Sequence, residues 1–171
     1  MRMTLRNNSY RVGQTAAIVA ALALGACNPF ARKHHVAEID PGDVASTSRW
    51  HGTLTTPPDM AGALNIKGTA TMGPASNANS TVVYVSITNA PPAGTHPWHV
   101  HKGRCGDNGD IVGSASAYPL LKVGSDGTAS ATATLSVRPP TDGDYYVAVD
   151  ASPTNLQSVI ACGNLAPPAA Q

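Results

Sequence analysis

Gly94-Thr95-His96-Pro97-Trp98-His99-Val100-His101-Lys102-Gly103-Arg104-Cys105 holds half of the chain's six histidines. Read as a β-strand over His96 to Lys102, it sends successive side chains to opposite faces. His99 and His101 then share one face, and His96 looks the other way. Two imidazoles on one strand face offer two nitrogens of the kind that suits copper or zinc. The opposite face must be buried by neighbouring elements, so the flanking sequence decides the fold.

Both flanks have the texture of β-structure. Trp50, Gly52 and Leu54 alternate with His51, Thr53 and Thr55, and Pro57-Pro58 ends that run. Ile66 to Met72 is a second strand, closed by Gly73-Pro74, and Ser76 to Ser80 is a polar turn. In Thr81 to Thr88, Val83, Val85 and Ile87 take one face, with Val82, Tyr84, Ser86 and Thr88 on the other. Asn89 to Gly94 is a loop, as is Cys105 to Ser116. Tyr118 to Val123 reads as a short strand ended by the turn Gly124-Ser125-Asp126-Gly127. Ala129 to Val137, Asp144 to Asp150 and Ser158 to Cys162 complete the set. About eight short strands at this spacing predict an all-β sandwich or barrel over residues 49–165, followed by a C-terminal tail over 166–171. With few aromatic residues, the core is expected to be Val, Ile, Leu and Ala.

The N-terminus reads as a targeting segment. Arg2, Arg6 and Arg11 precede the apolar run Ala16 to Leu24, which is too short to span a bilayer. Residues 1–26 are therefore expected to be a secretory signal peptide. Leu24-Gly25-Ala26-Cys27 resembles the lipobox of bacterial lipoproteins, which implies lipidation at Cys27. Asn28 after it, by resemblance to the sorting of such lipoproteins, implies the outer membrane, facing the periplasm. Residues 27–48 are polar and Pro-containing and read as a tether. His34-His35 lies in it, as a solvated pair or as a weak extra copper-capture site. Without the signal, eight Lys and Arg stand against ten Asp and Glu, a net charge of −2. No basic patch is present, which argues against nucleic acid as a partner.

Assigning Cys27 to lipid leaves Cys105 and Cys162. In an exported protein these form a single disulfide, or remain two thiols able to act as soft metal ligands. No nucleophile elbow or phosphate-cradling glycine loop occurs. Asp107 and Asp110 supply too few carboxylates, at the wrong spacing, for a calcium loop. His51 is a possible further nitrogen that the sequence does not bring close.

Gly94 to His101 resembles the central motif of copper/zinc superoxide dismutases, Gly-x-His-Gly-Phe-His-x-His. Val159-Ile160-Ala161-Cys162-Gly163 resembles that family's C-terminal Arg-x-Ala-Cys-Gly, and Leu121 to Val137 is similar to the hairpin after its zinc loop. The resemblance runs roughly from Trp50 to Gly163. It implies an eight-stranded Greek-key β-barrel, a Cys105–Cys162 disulfide, His99 and His101 as copper ligands, and His96 as a buried histidine bonded to backbone. Departures from the pattern are as informative. Pro97 replaces a glycine, and no histidine lies between Cys105 and Tyr118, so no zinc site is expected. Asp150 stands where the family keeps its last copper histidine, and Val159 where it keeps the arginine that guides superoxide. The expected function is an envelope lipoprotein whose superoxide dismutase-like domain binds copper through His99 and His101, with Asp150 as a candidate oxygen ligand, without efficient catalysis. The alternatives are a copper-only superoxide dismutase with a divergent site and a metal-free interaction domain.

Overall fold

The computed structural model describes residues 48–169. The signal peptide, Cys27 and His34-His35 lie outside the described residues. Among the described residues no helix is long and apolar enough to cross a membrane.

The chain forms β1 (Trp50–Thr55), β2 (Lys67–Pro74), β3 (Thr81–Thr88), β4 (Thr95–His96), β5 (Trp98–Lys102), β6 (Leu121–Lys122), β7 (Ala129–Leu135), β8 (Tyr145–Ser152) and β9 (Asn155–Leu165). One 3-10 turn, Ala115–Ala117, lies in the loop before β6. Seven strands form one antiparallel sheet in the order β5-β8-β9-β1-β2-β3-β7, and β4 pairs with β6 in a small ribbon. The sheet curls into a half-barrel around a single apolar core.

Period-two patterning explains the curl. In β3 every second residue from Thr81 to Ile87 is buried, as are Trp50 and Leu54 in β1. The core is built from Leu54, Met72, Val83, Val85, Ile87, Val100, Leu135 and Val147, all 0% exposed. Both tryptophans join it, which the expectation of an aliphatic core missed. Trp98 is 0% and Trp50 2% exposed. Each satisfies its indole N–H on a proline carbonyl, Trp98 on Pro119 at 2.6 Å and Trp50 on Pro140 at 3.1 Å.

Most strand ends shift by one or two residues from the sequence reading, β2 running on through Gly73-Pro74, and three strands differ more. Pro97 has no N–H to give a ladder, so His96 to Lys102 is two strands, with the break at Pro97. Pro119 likewise trims the expected strand Tyr118 to Val123 to Leu121–Lys122. The last strand is longer than Ser158 to Cys162, because β8 and β9 form a hairpin around Pro153-Thr154, with Ser152 opposite Asn155.

Candidate functional site

His99 and His101 sit on β5, an edge strand of the large sheet. Pairing with β8 sets Ala148 opposite His99 and Tyr146 opposite His101. Directly paired residues share a face, so these four side chains, with Asp150 two further along β8, point outward together. Trp98, Val100, Val147 and Val149 point into the core. One row continues across the sheet: His99, Ala148, Cys162 and Thr55 are successive partners on β5, β8, β9 and β1.

Outward-facing residues of β8 would be expected to be wet, yet Tyr146, Ala148 and Asp150 are all buried. The cause is the loop after β5, which folds back over this face. Gly103 N–H donates to Asp144 O, Cys105 N–H to the Asn164 side chain, and Tyr146 Oη–H to Asp107 O. Cys105 is bonded to Cys162 on β9, with Cα atoms 5.9 Å apart. The expected disulfide is present, and it forms part of the wall beside the histidines. Further along, Lys102 N–H donates to Asp110 O and Val112 N–H to Val100 O, so the loop also covers the free edge of β5. The result is an open cleft of about 850 Å³ with His99, His101 and Asp150 in its lining. Pro57, Pro58 and Met60 border it on one side, and Leu156 and Val159 on another. Asp59 and Asp107 add carboxylates to the lining, which contains no Lys or Arg among the described residues.

The histidine rings are 5.9 Å apart and perpendicular. Metal–nitrogen bonds of ~2 Å would place two ligating ring centroids roughly 4.5–6.5 Å apart, so the pair fits a shared ion. His101 Nδ1 is 2.9 Å from Gly109 O. A carbonyl only accepts, so Nδ1 carries the proton and Nε2 presents a lone pair. His99 Nδ1 is 3.9 Å from Asp150 Oδ2. Two bonds of ~2 Å span at most about 4 Å, which puts Asp150 at the limit of reach for an ion held by His99. Among the described residues no three His, Cys, Asp or Glu side chains converge as a ready-made metal cage. The histidine pair is thus a two-nitrogen arrangement with a carboxylate near it.

Burial sets the charge state. It lowers the His99 imidazole below its ordinary value, and the neighbouring His101 adds to that. Burial also pushes the Asp150 carboxyl up to about 6. At neutral pH the 3.9 Å pair is therefore a carboxylate beside a neutral imidazole rather than an ion pair. Among the described residues no hydrogen-bond donor reaches the Asp150 carboxylate. It sits at an irregularity in the β8–β9 ladder, with register shifts on both sides.

His96 is elsewhere. It is 6% exposed, and its Nδ1 lies 3.1 Å from Asp150 O and 2.9 Å from Ala151 O. The ring ties β4 to β8. Its Nε2 is buried without a partner, packed toward Gly94, where a β-carbon would collide with it. His51 pairs with Ala166 and Thr71 and does not line the cleft. Asp107 accepts from Arg104 N–H at 2.7 Å, which closes a turn. Val159 stands opposite Asp150 and lines the cleft without charge.

Sequence reasoning missed Tyr118 and Tyr146. Tyr118 packs edge-on against both Trp98 and His99, with centroids 5.1 Å away in each case, and burial raises its phenol to about 12. Tyr146 stacks on His101 at 5.0 Å and 15°. The shared parity of Tyr146, Ala148 and Asp150 was visible in the sequence, but not the strand opposite which it would lie. No family model matches the chain, and no curated protein matches it.

Proposed function

We propose that this chain is an exported, lipid-anchored envelope protein whose domain is a divergent superoxide dismutase-like barrel that binds copper without efficient dismutation. The observation that carries the copper reading is the His99–His101 pair on one face, with His101 Nε2 left as a lone-pair donor in an open cleft. Copper accepts imidazole in both common oxidation states, and Asp150 is the nearest additional donor for the oxidised ion. The closed Greek-key barrel is favoured by chain continuity. β4 and β5 are one strand interrupted by Pro97, and β6 leads through the Gly124–Gly127 turn into β7, at the far edge of the sheet. The ribbon would then bridge both edges of the half-barrel.

Dismutation is disfavoured by charge. A cleft with Asp59, Asp107 and Asp150 and, among the described residues, no cation repels an anionic substrate rather than steering it. Zinc has no ligand set in the Cys105–Tyr118 stretch. Membrane attachment rests on the Leu24–Cys27 sequence alone.

Copper titration of wild type against the double variant His99→Ala/His101→Ala tests the reading. Wild type should bind one copper ion that the variant loses. Equal weak binding by both would sink the metal reading and leave an interaction domain. A superoxide assay on the copper-loaded protein then separates binder from enzyme. Rapid turnover abolished by Asp150→Ala would establish the enzyme instead.

A further inference from the structure

Three features meet around His101, and the copper reading uses only one of them, the hydrogen bond at Nδ1. Its ring lies flat on Tyr146, 5.0 Å away and 15° from parallel. Its Nδ1 proton goes to Gly109 O at 2.9 Å. The loop carrying Gly109 is held down by the Tyr146 hydroxyl, which donates to Asp107 O. Tyr146 therefore acts on His101 twice, through its ring directly and through its hydroxyl by way of the loop.

We propose that Tyr146 is a positioning residue that locks His101 in the Nδ1–H tautomer, with Nε2 presented to the cleft. This rests on the copper reading for its purpose but not for its test. A neutral imidazole in water exchanges its proton between two nitrogens and rotates about two side-chain bonds. Here rotation is blocked by the stack below, and the proton is trapped by the carbonyl at the side. His99 has no such arrangement: among the described residues no hydrogen bond holds either of its nitrogens, Tyr118 meets its ring edge-on, and Asp150 is 3.9 Å away. The two histidines are thus unequal. His101 is the pre-set donor, and His99 carries no hydrogen bond that fixes its proton. The Cys105–Cys162 bond pins the same loop slightly upstream, so the cross-link and Tyr146 both hold the segment that leads to the Gly109 carbonyl. Partners of this kind orient metal-binding histidines, and losing them costs about 10–100-fold in metal affinity.

The test uses metal-free protein at pH 8 and long-range proton–nitrogen NMR of the His101 ring. Wild type should show Nδ1 protonated and Nε2 bare. Tyr146→Phe keeps the stack and loses the hydroxyl, and should retain most of the Nδ1–H signature. Tyr146→Leu loses both and should give mixed tautomers, with copper affinity lowered 10-fold or more. Near-UV circular dichroism of Trp50 and Trp98 checks that each variant is folded. An unchanged His101 tautomer in folded Tyr146→Leu overturns the proposal. Failure of wild type to bind copper would overturn the functional reading alone, because the tautomer is read without metal.

Discussion

Asp150 Oδ2 lies 3.9 Å from His99 Nδ1, and both side chains are largely shielded by the loop that closes over β8. Among the described residues no hydrogen bond reaches the carboxylate, and its desolvation has a thermodynamic consequence. Burial raises its pKa from 3.8 to about 6 in the folded chain. Between those values the folded protein keeps a proton that the unfolded chain has released. Stability therefore falls as pH rises through that window, and the loss is complete above about pH 6. The full rise corresponds to roughly 3 kcal/mol, and water in the open cleft screens part of it, leaving about 1–2 kcal/mol. Asp150→Asn should be more stable than wild type by that amount at pH 8, in the presence of a chelator. The gap should close below about pH 4. Urea unfolding at several pH values measures it, and a gap independent of pH would exclude desolvation as its cause.

The disulfide closes a loop with a sequence separation of 57 residues. In the chain-entropy model that is worth about 4 kcal/mol. Replacing both cysteines by serine, Cys105→Ser/Cys162→Ser, should lower stability by roughly that much. It should also loosen the loop over Tyr146 before the sheet melts. Hydrogen exchange resolves the two events: early loss of protection at Lys102 and Val112 is expected, with β2 and β3 unaffected.

Leu121 and Leu120 are neighbours with opposite environments. Leu121 is 0% exposed, whereas Leu120 is 43% exposed. Leu121→Ala should cost about 2–5 kcal/mol, and Leu120→Ala less than about 0.5 kcal/mol. Denaturant midpoints decide it. Similar costs for both would mean that the two-residue strand β6 does not anchor the ribbon in the core.

Gly163 explains a glycine in the Ala-Cys-Gly tail on packing grounds. A β-carbon there would collide with Thr53 O and stand 3.1 Å from Leu54 Cα, both on β1. Gly163→Ala must therefore push β1 and β9 apart, at a cost of about 1–3 kcal/mol. Gly62 has nothing within 4 Å of its would-be β-carbon, so Gly62→Ala is the matched control with little effect expected. A thermal melt of the two variants side by side provides the comparison.

Alternation in the sequence was enough to place β1, β3 and β7 and to assign their buried faces, because one-sided burial in an antiparallel sheet imposes period two directly. Turn residues located most of the connections. The pattern failed where proline removed a ladder donor, at Pro97 and Pro119, and where a second layer covered the outer face. In β8 the run Tyr146 to Asp150 is buried on both sides, so alternation there carried no signal of which face held the site.

The sequence by itself determined that His99 and His101 share a face, that His96 does not, and that Cys105 and Cys162 are the two cysteines left to the domain. Those are consequences of strand parity and of counting. Only the tertiary structure decided which residues lie opposite them. Strand pairing set Tyr146 against His101 and brought Asp150 to His99. The returning loop delivered the Gly109 carbonyl that fixes the proton on His101. Register between distant strands depends on the packing of the whole sheet, and a backbone carbonyl has no identity in the sequence. For that reason the partners of the histidines were hidden while the histidines themselves were plain.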